Sequence, residues 1–130
     1  MSRKIEDLKL AMQIKARDLA VKMAEEGIPF MFTCTYRSQE EQDALYTQGR
    51  TAPGKIVTWT HNSRHTRRDA FDIAILRSGQ PVWDIKVDVN KDDVPDYQQA
   101  GEIGESLGLV WGGRWKTPDY PHFQLKELNR

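Results

Sequence analysis

Two separated segments carry the residues best suited to chemistry. They are Ser63-Arg64-His65-Thr66-Arg67-Arg68-Asp69-Ala70-Phe71-Asp72 and Asp119-Tyr120-Pro121-His122-Phe123. Two imidazoles and one carboxylate can hold a catalytic zinc ion and leave its fourth position open to water. A remaining carboxylate can then act as the base for that water's proton. Each residue also has an ordinary reading. His65 and His122 can be hydrogen-bonded structural imidazoles. Asp72 lies in an apolar stretch and must be paired, hydrogen-bonded or metal-bound to offset its desolvation. Arg64, Arg67 and Arg68 are near enough in sequence to pair with it. There is no HExxH helix, so only the fold can bring these residues together.

The elements that must do so follow from periodicity and turn residues. Ile5, Leu8, Met12, Leu19 and Met23 recur at mostly helical steps, predicting a helix over 3–26 that Gly27 and Pro29 terminate. Phe30–Tyr36 reads as a strand, within which Cys34 reads as a small buried hydrophobe. Ser38-Gln39-Glu40-Glu41 fits a capping box and starts a helix over about 39–48, with Ala44 and Leu45 on its core side. The turn-rich loop 49–54 leads to a short extended segment, Lys55–Trp59.

Ala70–Leu76 alternates cleanly. Phe71, Ile73 and Ile75 share one face, and Ala70, Asp72 and Ala74 share the other, uncrowded one. Ser78-Gly79 turns the chain into Pro81–Val87. A helix starts around Asp92–Asp96, its inner stripe being Tyr97, Ala100, Gly104 and Leu107, and Gly108 ends it. Gly112-Gly113 bends the segment 110–115. His122–Leu125 is a last strand with His122 and Gln124 on one face. The order predicts a single α+β domain with a mainly antiparallel sheet flanked by helices.

Composition narrows the function. With 130 residues the chain can bury a core without disulfides, and its single cysteine permits none within the chain. Nineteen basic and nineteen acidic residues cancel, which argues against nucleic acid or an anionic membrane as main partner. No secretory h-region or membrane-length apolar run is found, predicting a soluble chain made in the cytoplasm without stable membrane insertion.

Four blocks then resemble a known group. They are Thr35-Tyr36-Arg37-Ser38 with Glu41-Gln42 and Leu45-Tyr46; 49–58; Ser63-x-His65 through Ala70-x-Asp72; and Gly108-Leu109-Val110-Trp111-Gly112-Gly113-x-Trp115 on to Asp119-x-x-His122-Phe123. In this order they resemble the zinc D,D-peptidase and L-alanyl-D-glutamate endopeptidase superfamily, which includes small phage endolysins and D-alanyl-D-alanine carboxypeptidases. The resemblance implies a hedgehog/DD-peptidase-like fold and Zn2+ bound by His65, Asp72 and His122. It implies Asp119 as general base, Arg37 at the scissile carbonyl or a substrate carboxylate, Ser63 as support for the ligand loop, and Gln42 behind the site or facing substrate. Trp111 and Trp115 read as core or as substrate platforms, His61 as a further imidazole, and Arg50 as a brace for its loop. The sequence departs from the group's pattern at Arg68, where glycine is usual, at Trp59-Thr60-His61-Asn62, which lacks a glycine-rich lead-in, and at Arg114, where an acidic residue is common.

The implied activity is hydrolysis of the L-alanyl-D-glutamate bond in a peptidoglycan stem peptide by a monomeric phage endolysin. Such an enzyme accumulates in the host cytoplasm and reaches the wall after holin-type release. The alternatives are a D-alanyl-D-alanine carboxypeptidase on the same scaffold and a non-catalytic, zinc-stabilised wall-binding module.

Overall fold

Strand β2 (Ala70–Arg77) is the strand on which the sheet is built. The computed structural model, which describes residues 1–58 and 60–127, places β2 between β1 (Phe30–Cys34) and β5 (His122–Leu125), with β4 (Leu109–Trp111) beyond β5. The short β3 (Gln80–Val82) pairs with the far end of β2 through the tight turn at Ser78 and Gly79, both with positive φ. All these pairings are antiparallel, as the α+β reading expects.

The alternation in β2 sorts the two faces. Phe71, Ile73 and Ile75 are fully buried against α1 (Leu10–Glu25) and α3 (Asp96–Ser106). Leu8, Met12, Leu19 and Met23 pack there from the N-terminal side, and Tyr97, Ala100, Leu109, Trp111 and Phe123 complete the core. Each large apolar side chain removed from water in this way contributes about 1.5–3 kcal/mol. Tyr97 keeps its hydroxyl satisfied by donating to Val82 O at 2.6 Å.

Several expected boundaries shift for identifiable reasons. The predicted helix over 3–26 is broken: a 3-10 turn spans Ile5–Asp7, the chain extends at Leu8–Lys9, and α1 begins at Leu10. The break frees Lys9 N–H to donate to Arg68 O at 2.9 Å, docking this segment against the loop that carries His65. β1 stops at Cys34 because Thr35 and Tyr36 bond instead to Ser2. In α2 (Gln39–Thr47) the capping box at Ser38 and Glu41 is present, but Ala44 is exposed and Gln42 is the residue turned inward. No described residue of α2 belongs to the apolar core, so polar contacts hold this helix. Residues 55–58 form no strand, and Trp59 lies outside the described residues. The strand expected over 81–87 covers only Gln80–Val82.

Arg68 adopts φ 62° and ψ 25°, the left-handed conformation that favours glycine. The cost is offset by its guanidinium, 3.8 Å above the Tyr36 ring and donating to Asp7 O at 2.9 Å. The departure therefore anchors the N-terminal segment and does not touch the cleft described below.

Gly101 fixes how closely α3 approaches the sheet. A Cβ there would sit 2.2 Å from Trp111 Cδ2. The indole cannot easily retreat, because its Nε1 donates to Tyr120 O at 2.8 Å. Gly101→Ala should therefore lower stability by about 1–2 kcal/mol in denaturant titration, the overpacking outweighing the helix-propensity gain of up to about 1 kcal/mol. An unchanged or raised midpoint would contradict this packing.

Candidate active site

The face of the sheet opposite the apolar core carries the reactive side chains. Pairing register sets Asp72 opposite Cys34 on one side and His122 on the other. A register shift between Phe32 and Cys34 is what brings Cys34 to that position. His65 arrives separately, on the 3-10 turn Arg64–Arg67 that precedes β2. Ser63 caps this turn, its Oγ accepting from His65 N–H at 3.1 Å.

Both imidazoles converge on one carboxylate. His65 Nε2 lies 3.2 Å from Asp72 Oδ2, and His122 Nδ1 lies 2.9 Å from Asp72 Oδ1. Each ring is fixed through its other nitrogen. His65 Nδ1 faces Thr35 O at 3.3 Å, and His122 Nε2 faces Gln124 Oε1 at 2.9 Å. These partners set which nitrogen carries the proton and which is left for a metal. None of the three candidate arginines pairs with Asp72. Arg64 binds Asp69 at 2.9 Å, Arg68 reaches Asp7 O, and Arg67 is exposed.

The electrostatics follow from this arrangement. Burial opposes ionisation of Asp72, but its hydrogen bonds to His122 and His65 outweigh burial and hold it well below the usual carboxylate range. Burial likewise opposes charge on His65, yet contact with Asp72 and Cys34 raises it to about 10. Asp119 behaves differently. Burial, then the charge of Asp72, push it above the usual range, against the pull of His122, His65 and Arg37. Two carboxylates of one cleft are thus driven in opposite directions: Asp72 is held charged, and Asp119 is the better proton acceptor.

A cleft of about 840 Å³ opens over these groups, lined by Arg37, His65, Asp72, Trp115, Asp119 and His122 among others. The Asp119 loop rests on Gly112. Asp119 N–H donates to Gly112 O at 2.9 Å, and a Cβ on Gly112 would meet Asp119 O at 2.5 Å. Arg37 enters from the other wall. Its Nη1 donates to Gln42 Oε1 at 2.6 Å and one Nη2 proton points to Cys34 Sγ at 3.6 Å, while Nε is buried with no hydrogen-bond partner among the described residues. Gln42, fully buried, also donates to Thr60 O at 2.6 Å. It sits behind Arg37, not against the cleft, and ties α2 to the loop before His65.

The remaining candidates separate. Trp111 is core, whereas Trp115 forms part of the cleft wall with its ring 5.2 Å from that of His122. His61 binds Asp43 at 3.0 Å and stacks on Tyr46, away from the metal candidates. Arg50 lies over the Tyr46 ring and donates to Thr58 O at 3.0 Å, bracing its loop as expected. Arg114 pairs with Glu105 through two bonds of 3.1 and 3.0 Å, off the cleft. Two participants escaped the sequence reading. Gln124 shares a strand face with His122, a signal that was available. Cys34 comes within 4.8 Å of His65 and Asp72 donor atoms only through the register shift, which local sequence does not encode.

The donor types suit zinc: His65 Nε2 and His122 Nδ1 each lie against one oxygen of Asp72 on the floor of an open cleft, and the most compact donor group there joins Cys34, His65 and Asp72. A peptidase M15 family model, described as D-alanyl-D-alanine carboxypeptidase, matches residues 57–125. The chain belongs to the peptidase M15 family. Its relative in Bacillus subtilis (strain 168), the peptidoglycan L-alanyl-D-glutamate endopeptidase CwlK, is 38% identical over 123 residues, 92% of this chain and 74% of the relative. The crystal structure of the Serratia marcescens L-Ala D-Glu endopeptidase ChiX superposes with a TM-score of 0.71 at 22% identity, covering 94% of this chain and 83% of that one. The LD-carboxypeptidase LdcB gives 0.69 at 14% identity, covering 96% and 63%. At such identities these two likenesses speak for the fold alone. This member of the family is a peptidase, and its fold is that of M15 peptidases.

Because Gln124 orients His122, Gln124→Ala should weaken zinc binding about 10–100-fold in a competition titration against a chromophoric chelator. Wild-type affinity in that variant would remove Gln124 from the account.

Proposed function

We propose that this chain is a zinc-dependent peptidoglycan endopeptidase that hydrolyses the L-alanyl-D-glutamate bond of the stem peptide. The observation that carries the reading is the convergence of His65 and His122 on Asp72, with Asp119 and Arg37 on the walls of the same cleft. The bond specificity rests on the 38% identity to CwlK.

His65, Asp72 and His122 would hold the metal. The chemistry such an ion supplies is Lewis-acid: a polarised carbonyl, and water acidified to a pKa near 7. Asp119, raised by burial, would take the water's proton and later deliver it to the departing amine, so that one water and one amide become a carboxylate and an ammonium group. Arg37 presents its guanidinium to the carbonyl oxygen as negative charge develops there, held in position by Gln42. Trp115 offers an apolar wall beside His122 for the substrate backbone. A merely structural metal would need neither Asp119 nor Arg37, which disfavours a non-catalytic wall-binding module.

The carboxypeptidase reading keeps support from the description of the matching family model. The products decide. Purified peptidoglycan treated with the zinc-loaded protein should release stem peptides beginning at D-glutamate, seen by mass spectrometry, and a chelator should abolish them. Free D-alanine as the sole product would favour the carboxypeptidase, and intact stems would end the peptidase proposal for this substrate.

Variants separate the roles. Asp119→Ala should keep its zinc while losing roughly 10²–10⁴-fold in turnover, whereas His65→Ala should lose the metal, by elemental analysis. A fully active Asp119→Ala would remove it as the base.

The same proposal includes a lytic setting: a monomer that accumulates in the host cytoplasm and meets the wall after a holin-type pore opens. Its support is the neutral charge and the lack, among the described residues, of any helix long and apolar enough to cross a membrane. Cells producing the protein should lyse only when a pore-former is co-expressed. Lysis without one would contradict this part.

A further inference from the structure

Away from the cleft, the stretch 88–99 gathers carboxylate and amide oxygens: those of Asp88 and Asp92 accept N–H bonds from the loop itself, and three others have no protein donor among the described residues. One ligand-capable oxygen each from Asp88, Asp92 and Asp96 lie within 4.8 Å of one another. Asp96 is fully buried at 0% exposure. Its Oδ2 accepts from Val89 N–H at 2.6 Å, but its Oδ1 is buried with no hydrogen-bond partner among the described residues. Asn90 Oδ1 and Gln99 Oε1 share that condition. Five buried side-chain polar atoms lack a partner among the described residues, and three of them are acceptors in this one stretch. Buried acceptors are rarely left unpaired, so three together call for a missing positive partner.

Turning the Asn90 amide over does not solve the problem. Its Nδ2 already donates to Glu26 O at 2.8 Å and to Asp92 Oδ2 at 3.2 Å, so the oxygen must face elsewhere. Burial, with the charges of Asp88 and Asp92, pushes Asp96 above the usual carboxylate range, and Arg77 opposes this only as the smallest contribution.

The spacing fits a known solution. Asp88, Asn90, Asp92, Asp96 and Gln99 stand at positions 1, 3, 5, 9 and 12 of a twelve-residue calcium loop. Position 7, which supplies a backbone carbonyl in such loops, falls on Val94. Position 6, which makes the sharp turn, is Asp93 at φ 67°. Two features differ from the strongest calcium loops. Aspartate replaces glycine at position 6, a residue that tolerates the left-handed region better than most. Glutamine replaces the bidentate glutamate at position 12, which removes a charge and an oxygen.

We infer that residues 88–99 form a calcium-binding loop that ties the start of α3 to the end of α1. An all-oxygen set of carboxylates and amides selects calcium over zinc. Asp96 and Gln99 lie in the first turns of α3, and Asn90 grips the carbonyl of Glu26 just after α1, so one cation clamps both helices. None of these residues lines the cleft, so the site acts on stability and does not depend on the peptidase reading.

The test uses zinc-loaded protein in calcium-free buffer, titrated with calcium chloride by calorimetry and thermal unfolding. One calcium should bind per chain with Kd on the order of 10⁻⁵–10⁻³ M. At ten times Kd the unfolding constant should fall about tenfold, with a matching rise in Tm, and magnesium should give a far smaller rise. Asp92→Asn, an exposed position, should weaken calcium binding at least tenfold while zinc content stays unchanged, and Asp96→Asn should do the same if it folds. No heat and no shift up to about 10 mM calcium, an equal shift with magnesium, or wild-type calcium binding by Asp92→Asn would each overturn the inference.

Discussion

A single carboxylate in the interior edge of a sheet sets the terms for this structure. Asp72 lies on β2 between two neighbouring strands, where an unpaired charge would be strongly unfavourable. Its two oxygens are met by two imidazoles, one from β5 and one from the turn before β2. Each imidazole needs its own fixing contact, His65 to Thr35 O and His122 to Gln124. The chain's departures from simple elements serve these contacts. The break at Leu8–Lys9 docks the N-terminal segment on the His65 loop, and Arg68 accepts a left-handed backbone beside it.

The two faces of the sheet divide the work. On one, Phe71, Ile73, Ile75 and Phe123 pack against α1 and α3 and supply the apolar burial that holds the domain together. On the other, small residues flank Asp72 and leave room for a cleft. Helix α2 contributes nothing to the apolar core. It is secured through Ser38, Glu41 and above all Gln42, whose single side chain joins α2, Arg37 and the loop before His65. The cleft wall is thus built from polar contacts on an apolar base, and Gly112 gives the Asp119 loop its close seat.

Much of this was legible in the sequence because it is local. The period-two pattern of β2 set its faces, the capping box set the start of α2, and Gly108 with φ 88° ended α3's segment where expected. His65 and His122 each contact Asp72, and Asp119 and Arg37 line the same cleft. The misreadings arose where distant parts of the chain decide the outcome. Ala44 looked inward by periodicity, yet no apolar surface lies beneath α2 to receive it. Cys34 looked like plain core, yet the shifted register sets it beside the site. Gln42 could be read as behind the site or as facing substrate, and only the packing of α2 on Arg37 puts it behind.

Cys34 leaves one point open to direct test, because its sulfur, rather than a His122 nitrogen, completes the compact donor group with His65 and Asp72. Zinc-edge X-ray absorption of the loaded protein distinguishes the two ligand sets. A site of His65, Asp72 and His122 should show only nitrogen and oxygen neighbours at about 2.0–2.2 Å. A sulfur neighbour at about 2.3 Å would place Cys34 on the metal and contradict the His–Asp–His centre on which the proposed chemistry depends.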